Sequence, residues 1–138
     1  MISTKIQLRD VNKMAFDADL NGHNIKIDSV KKVGGEDYGV QPKPLLLVAL
    51  GGCTAMDVIS ILRKMRVELE DFSVDVSGES SEGHPVYYKK LHIEYHFKGK
   101  DLPMDKLEKA VSLSQERYCG VSYMLGKAAE ITHEIILD

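Results

Sequence analysis

A chain of 138 residues, 43% hydrophobic and 28% charged, has the size and composition of one globular domain, taken here as residues 1–138, with enough apolar content for its own core. Its formal charge of -3 and the lack of a basic patch with interleaved aromatics argue against nucleic acid as a partner, because phosphate binding wants a concentrated positive field. Met1 to Asp19 carries both charge signs and no apolar core segment, so no signal peptide is expected and the chain reads as cytoplasmic, where two cysteines serve chemistry or packing rather than a structural staple.

The chain opens with three runs that alternate apolar and polar residues, Lys5 to Arg9, Met14 to Leu20 and Asn24 to Asp28. This pattern predicts a small antiparallel sheet, and Asn21-Gly22 is a strong hairpin signal between the second and third runs. Lys31 to Gln41, with Gly34-Gly35 and Gly39, reads as a loop.

A long helix, roughly Pro44 to Met65, comes next. Pro42 and Pro44 suit its first turn, and Arg63, Lys64 and Arg66 suit its last, where cations meet the negative end of the macrodipole. Apolar residues from Leu45 to Leu62 fall on nearly every face, which predicts burial almost all round. The exception is one polar stripe: at about 100° per residue, Asp57 lies about 40° from Cys53, and Ser60 and Lys64 each about 20°. Gly51 and Gly52 precede Cys53 inside the helix, where each costs about 1 kcal/mol relative to alanine, and close approach of a backbone or ligand would explain them. The run approaches the length of a membrane span, but Asp57, Ser60 and the glycines interrupt it, so no membrane association is expected.

Period-two alternation then returns. Phe72, Val74 and Val76 alternate with polar residues, as do Leu91, Ile93, Tyr95 and Phe97, and the stretch Gly78 to Pro85 is the turn of a long hairpin. Pro103 to Tyr118 switches to helical spacing, Val121 to Ala129 reads as a short helix entered through Cys119-Gly120, and Ile131 to Leu137 as a last strand. The order of elements is that of an α+β fold with sheets and helices segregated. A helix without a solvent face is hard to cover with so few elements, so a second copy of the chain is expected to supply part of the cover, giving a homodimer.

Cys53, on the polar stripe after two glycines, is the first candidate for chemistry; the bland alternative is a small buried hydrophobe. Cys119 precedes a short helix, where backbone N–H groups favour an anion, though a linker residue would look the same. His92 and His96 share the polar face of one strand, but without a CxxC or HExxH pattern no metal site is expected.

Two cysteine contexts, Pro44-Leu-Leu-Leu-Val-Ala-Leu-Gly-Gly-Cys53-Thr-Ala-Met-Asp and Glu116-Arg-Tyr-Cys119-Gly-Val-Ser-Tyr-Met-Leu125, resemble those of the OsmC/Ohr family of osmotically inducible and organic hydroperoxide resistance proteins. The approach Gly22, Ile25 to Asp28 and Gly39 to Pro42 is similar as well. The resemblance implies antiparallel sheets wrapped around a long buried central helix in an intertwined homodimer. It implies a thiol peroxidase without metal, flavin or haem, reducing organic hydroperoxides in oxidative-stress defence. Carried over by motif, Cys53 is the peroxidatic thiol and Cys119 the resolving one, the disulfide between them being reduced by a dithiol such as a lipoylated protein. The hydroperoxide-resistance branch has a glutamate shortly before its first cysteine and an arginine near its N-terminus. Here Gln41-Pro42-Lys43-Pro44 offers no carboxylate and the N-terminal arginine is Arg9, so the chain resembles the OsmC-like branch more. The alternative is a non-catalytic, stress-associated protein that holds a small apolar ligand on the same scaffold.

Overall fold

The computed structural model describes all residues, 1–138, and is α+β as expected. It divides into two compact units, Met1–Leu46 and Leu47–Asp138.

In the first unit β1 (Lys5–Leu8), β2 (Phe16–Leu20) and β3 (His23–Ile27) form an antiparallel sheet in that order. The β2–β3 hairpin turns on Asn21 and Gly22, both at positive φ (51° and 79°), the backbone that a two-residue turn matching the strand twist requires. Asp28, 3% exposed, organises the loop that follows: Oδ1 accepts from the Ser29 N–H at 2.7 Å, and Oδ2 from those of Glu36 and Tyr38 at 2.9 and 3.0 Å. The N–H groups of Tyr38 and then Glu36 hold this carboxyl below its ordinary range. Arg9 pairs with Asp17 at 3.0 Å and stacks over the Tyr38 ring at 4.3 Å.

In the second unit β4 (Asp71–Ser80), β5 (Tyr88–Lys98) and β6 (Glu130–Leu137) form a sheet in that order. The β4–β5 hairpin is longer than the alternation indicated, because β4 runs on to Ser80 after a register shift at Glu79/Ser80. β6 lies parallel to β5, so this sheet is mixed; the crossover that parallel pairing needs is made by α2 (Met104–Leu113), a π-helical turn (Ser114–Tyr118) and α3 (Gly120–Leu125). Leu91, Ile93, Tyr95 and Phe97 of β5 are at most 2% exposed and form the core with Leu50, Val58 and Leu62 of α1 (Leu45–Lys64) and Leu107, Ala110 and Val111 of α2.

α1 is not covered all round within one chain. Leu50, Gly51, Thr54, Val58 and Leu62 are buried against the second unit, while Val48 and Met56 stand 67% and 76% exposed. By length and composition α1 could cross a membrane, a test that the core helix of a soluble protein also passes. The two glycines divide in the same way as the faces. A Cβ on Gly51 would come within 3.0 Å of Val76, so α1 approaches β4 closely there, whereas Gly52 opens onto free space.

Candidate active site

The fold brings together the two cysteines that lie far apart in sequence. Cys53 sits mid-way along α1, half-buried; Cys119, 3% exposed, is the N-cap of α3, its Sγ accepting from the Ser122 N–H at 3.4 Å. The two sulfurs and a carboxylate oxygen of Asp57 all lie within 4.8 Å of one another. Both thiols are free, and closing to the roughly 2.05 Å of a disulfide requires the sulfurs to approach by under about 3 Å.

Burial pushes the Cys53 thiol above its ordinary value. The hydrogen bond that it gives Cys119 and the nearby Asp57 carboxylate push the same way, while the Val121 N–H, from the first turn of α3, pulls against them. None of the groups acting on this thiol is a cation. Arg9, the N-terminal arginine, is engaged with Asp17 and Tyr38 in the first unit.

Behind the thiols runs a buried chain of hydroxyls that the sequence did not single out. Ser114 Oγ donates to Asp57 Oδ2 at 2.9 Å, which leaves it to accept from Thr54 Oγ1 at 2.7 Å; Thr54 in turn accepts from the Tyr95 hydroxyl at 2.6 Å. Gln115 Nε2 donates to both Thr54 Oγ1 and Tyr95 Oη, at 3.0 and 2.8 Å, and Gln115 Oε1 accepts from Ser122 Oγ at 3.1 Å. α1, β5, the π-helical turn and α3 are thus locked to one another around the thiol pair, with no buried side-chain polar atom unsatisfied. Thr54 and Tyr95 read as an ordinary helix residue and an inward strand residue; only their complete burial, 0% exposed each, marks them. The π-helical turn lies immediately before Cys119, and such turns are frequent at functional sites.

Chemically the cluster offers two sulfur nucleophiles within reach of each other and a carboxylate able to exchange protons with both. The same three atoms could bridge a soft divalent ion. His92 and His96, the histidines that the sequence raised, do not join it and lie on the outward face of β5.

Residues 34–134 match the family model described as OsmC-like protein. The chain is 37% identical over 113 residues to Escherichia coli protein YhfA, covering 82% of this chain and 81% of that one. A hypothetical protein from Aquifex aeolicus superposes with a TM-score of 0.82 at 31% identity, over 100% of this chain and 98% of the other. An organic hydroperoxide resistance protein OsmC from Legionella pneumophila shares the fold, with a TM-score of 0.74 at 14% identity over 99% and 96% of the two chains.

Proposed function

The chain belongs to the OsmC-like family, and from that premise we propose that it is a cysteine-based peroxidase that reduces organic hydroperoxides in oxidative-stress defence. The observation that carries the reading is the meeting of Cys53, Cys119 and Asp57 within 4.8 Å. Cys53, the more accessible thiol, loses its proton and attacks the terminal oxygen of the hydroperoxide. The O–O bond breaks, the alcohol leaves with a proton, and Cys53 becomes a sulfenic acid. Cys119 then attacks the Cys53 sulfur, the S–O bond breaks, water leaves, and a disulfide closes. A dithiol, such as a lipoylated protein, reduces it. Asp57, adjacent to both sulfurs, is placed to take the thiol proton in each step and hand it to the departing oxygen. Protein residues suffice for this sequence, and the working form is a cytoplasmic homodimer in which a second copy covers the exposed apolar face of α1 at Val48 and Met56.

The test is a single turnover without reductant, using cumene hydroperoxide. The reduced chain is expected to lose both thiols and two hydrogens of mass. Cys119→Ser should gain one oxygen, and Cys53→Ser should consume no peroxide. Equal initial consumption by Cys53→Ser and the unaltered chain would reject the assignment.

One observation favours a second reading, a non-catalytic protein that holds a small apolar ligand. An open groove of about 440 Å³ beside Gly52 is lined by Leu47, Val48, Ala55, Val74 and Val76. Binding of a fluorescent fatty acyl probe, lost in Val76→Glu while thiol oxidation by peroxide stays slow, is the outcome that this reading expects.

A further inference from the structure

The outward face of the second sheet departs from the charge pattern of its own surroundings. His92, Glu94 and His96 alternate along β5 with the core residues Ile93 and Tyr95, so all three project to one side. The register sets Asp75 of β4 opposite Glu94 on one side and Glu134 of β6 on the other. Three carboxylates therefore stand abreast on strands about 4.8 Å apart, although like charges directly opposite destabilise a sheet. The neighbouring positions obey the usual rule: Lys98 faces Asp71, and Lys90 stands between Glu79 and Glu130.

Both histidines turn one nitrogen toward this row and anchor the other. His96 Nε2 lies 3.1 Å from Glu94 and 3.3 Å from Asp75, and its Nδ1 is 3.2 Å from Asp138. His92 Nε2 lies 3.3 Å from Glu134, and its Nδ1 meets Thr132 Oγ1 at 2.7 Å. A carboxylate only accepts, so Asp138 places a hydrogen on His96 Nδ1. A neutral His96 then aims a bare lone pair at two carboxylates, acceptor against acceptors. A cation on Nε2 resolves the conflict, and a divalent metal ion balances the row better than a proton, offering two charges where an imidazolium offers one. An imidazole whose second nitrogen is held by a carboxylate is also the arrangement that fixes a histidine for metal ligation. Donors around a tetrahedral zinc ion stand about 3.4 Å apart, close to the separations found.

We propose that this face binds a divalent ion of the zinc class, held first by His96, Asp75 and Glu94, with Glu94 shared by a second triad of His92 and Glu134. The donor atoms within each triad lie within 4.8 Å of one another. Imidazole with two carboxylates suits zinc and its neighbours, whereas magnesium and calcium prefer oxygen alone. The ion would tie β4, β5 and β6 together from outside.

The test is titration of the full, reduced chain with Zn²⁺ and Co²⁺ at neutral pH. Cobalt separates this site from the thiol cluster, because nitrogen and oxygen ligands give d–d bands without thiolate-to-metal charge transfer. Those bands should persist in Cys53→Ser/Cys119→Ser. In that cysteine-free background Glu94→Gln should lower zinc affinity by at least about a hundredfold, and Asp138→Ala, which removes the side-chain acceptor at Nδ1, by about ten- to a hundredfold, with circular dichroism unchanged in both. Were Glu94→Gln not to fold, Co²⁺ added to the unaltered chain should broaden the His92 and His96 ring resonances, and sharp resonances would overturn the site. It is equally overturned by charge-transfer bands alone, by zinc affinity that survives Glu94→Gln in the Cys53→Ser/Cys119→Ser background, or by no uptake at all.

Discussion

Ser114 donates its hydroxyl hydrogen to Asp57 across 2.9 Å, joining the π-helical turn before Cys119 to the side chain one turn beyond Cys53. Because Thr54 and Tyr95 stack their own hydroxyls behind it, the bond is the exposed end of a chain whose other members have no access to water.

Ser114→Ala should therefore cost more than one average hydrogen bond. It strands Thr54 as a donor and takes a donor from Asp57, a penalty of about 1–3 kcal/mol. Urea unfolding should show the midpoint falling with an unchanged slope. Oxidation of Cys53 and Cys119 to a disulfide should slow as well, since the turn that positions Cys119 loosens. A variant as stable as the unaltered chain would mean that the hydroxyl chain contributes nothing.

The Cys53 thiol sits above its ordinary value because of burial, Cys119 and Asp57. Its alkylation by iodoacetamide should keep rising beyond about pH 8.5, where an ordinary thiol begins to level off. Asp57→Asn removes a negative charge that opposes the thiolate, so the profile should move to lower pH. Peptide mass mapping across a pH series reads both, and a plateau below neutrality would contradict the direction.

On the exposed face of α1, Val48→Glu with Met56→Glu places charge where a second copy is proposed to pack. Sedimentation should show the unaltered chain as a dimer and the double variant as a monomer at the same concentration. A folded monomer of the unaltered chain at micromolar concentration would remove the dimer.

Asp28 titrates below its ordinary value because three N–H groups favour its ionised form. Its stabilising contribution is present above the unfolded carboxylate value and is lost as pH falls from about 4 through the lower folded one. Asp28→Asn should be less stable at pH 7 yet lose less on acidification, a convergence visible in melting temperatures measured at both pH values.

The parts of the fold legible in sequence were those encoded by local period. The Asn21-Gly22 hairpin, the alternation of β5 and the apolar density of α1 each follow from residues a few positions apart. The direction of β6 was not legible, because parallel pairing with β5 is decided by how α2, the π-helical turn and α3 carry the chain across. That one chain leaves part of α1 open was expected from its all-round apolar composition, but which residues stand open, Val48 and Met56 among them, was not. Cys53 and Asp57 could be placed on one stripe by angle alone, while Cys119 joined them only through its motif. The hydroxyl chain lay beyond either route, since Thr54, Tyr95 and Ser114 come from three elements and none has a distinctive sequence context. The same holds on the outer sheet, where strand period aligns His92, Glu94 and His96 but only register brings Asp75 and Glu134 beside them.

The π-helical turn at Ser114–Tyr118 makes the thiol pair depend on chain length as well as residue identity. Such a turn holds one residue more than the α-helical path, and its widened ladder ends on the bond from the Cys119 N–H to the Ser114 carbonyl at 2.8 Å. Removing one residue between the two would take that five-residue bond away and let the tighter α-helical ladder close in its place. The backbone that delivers Cys119 is therefore set by the count of residues after Ser114, so a one-residue deletion there would test the proposed thiol pair while leaving both cysteines in the chain.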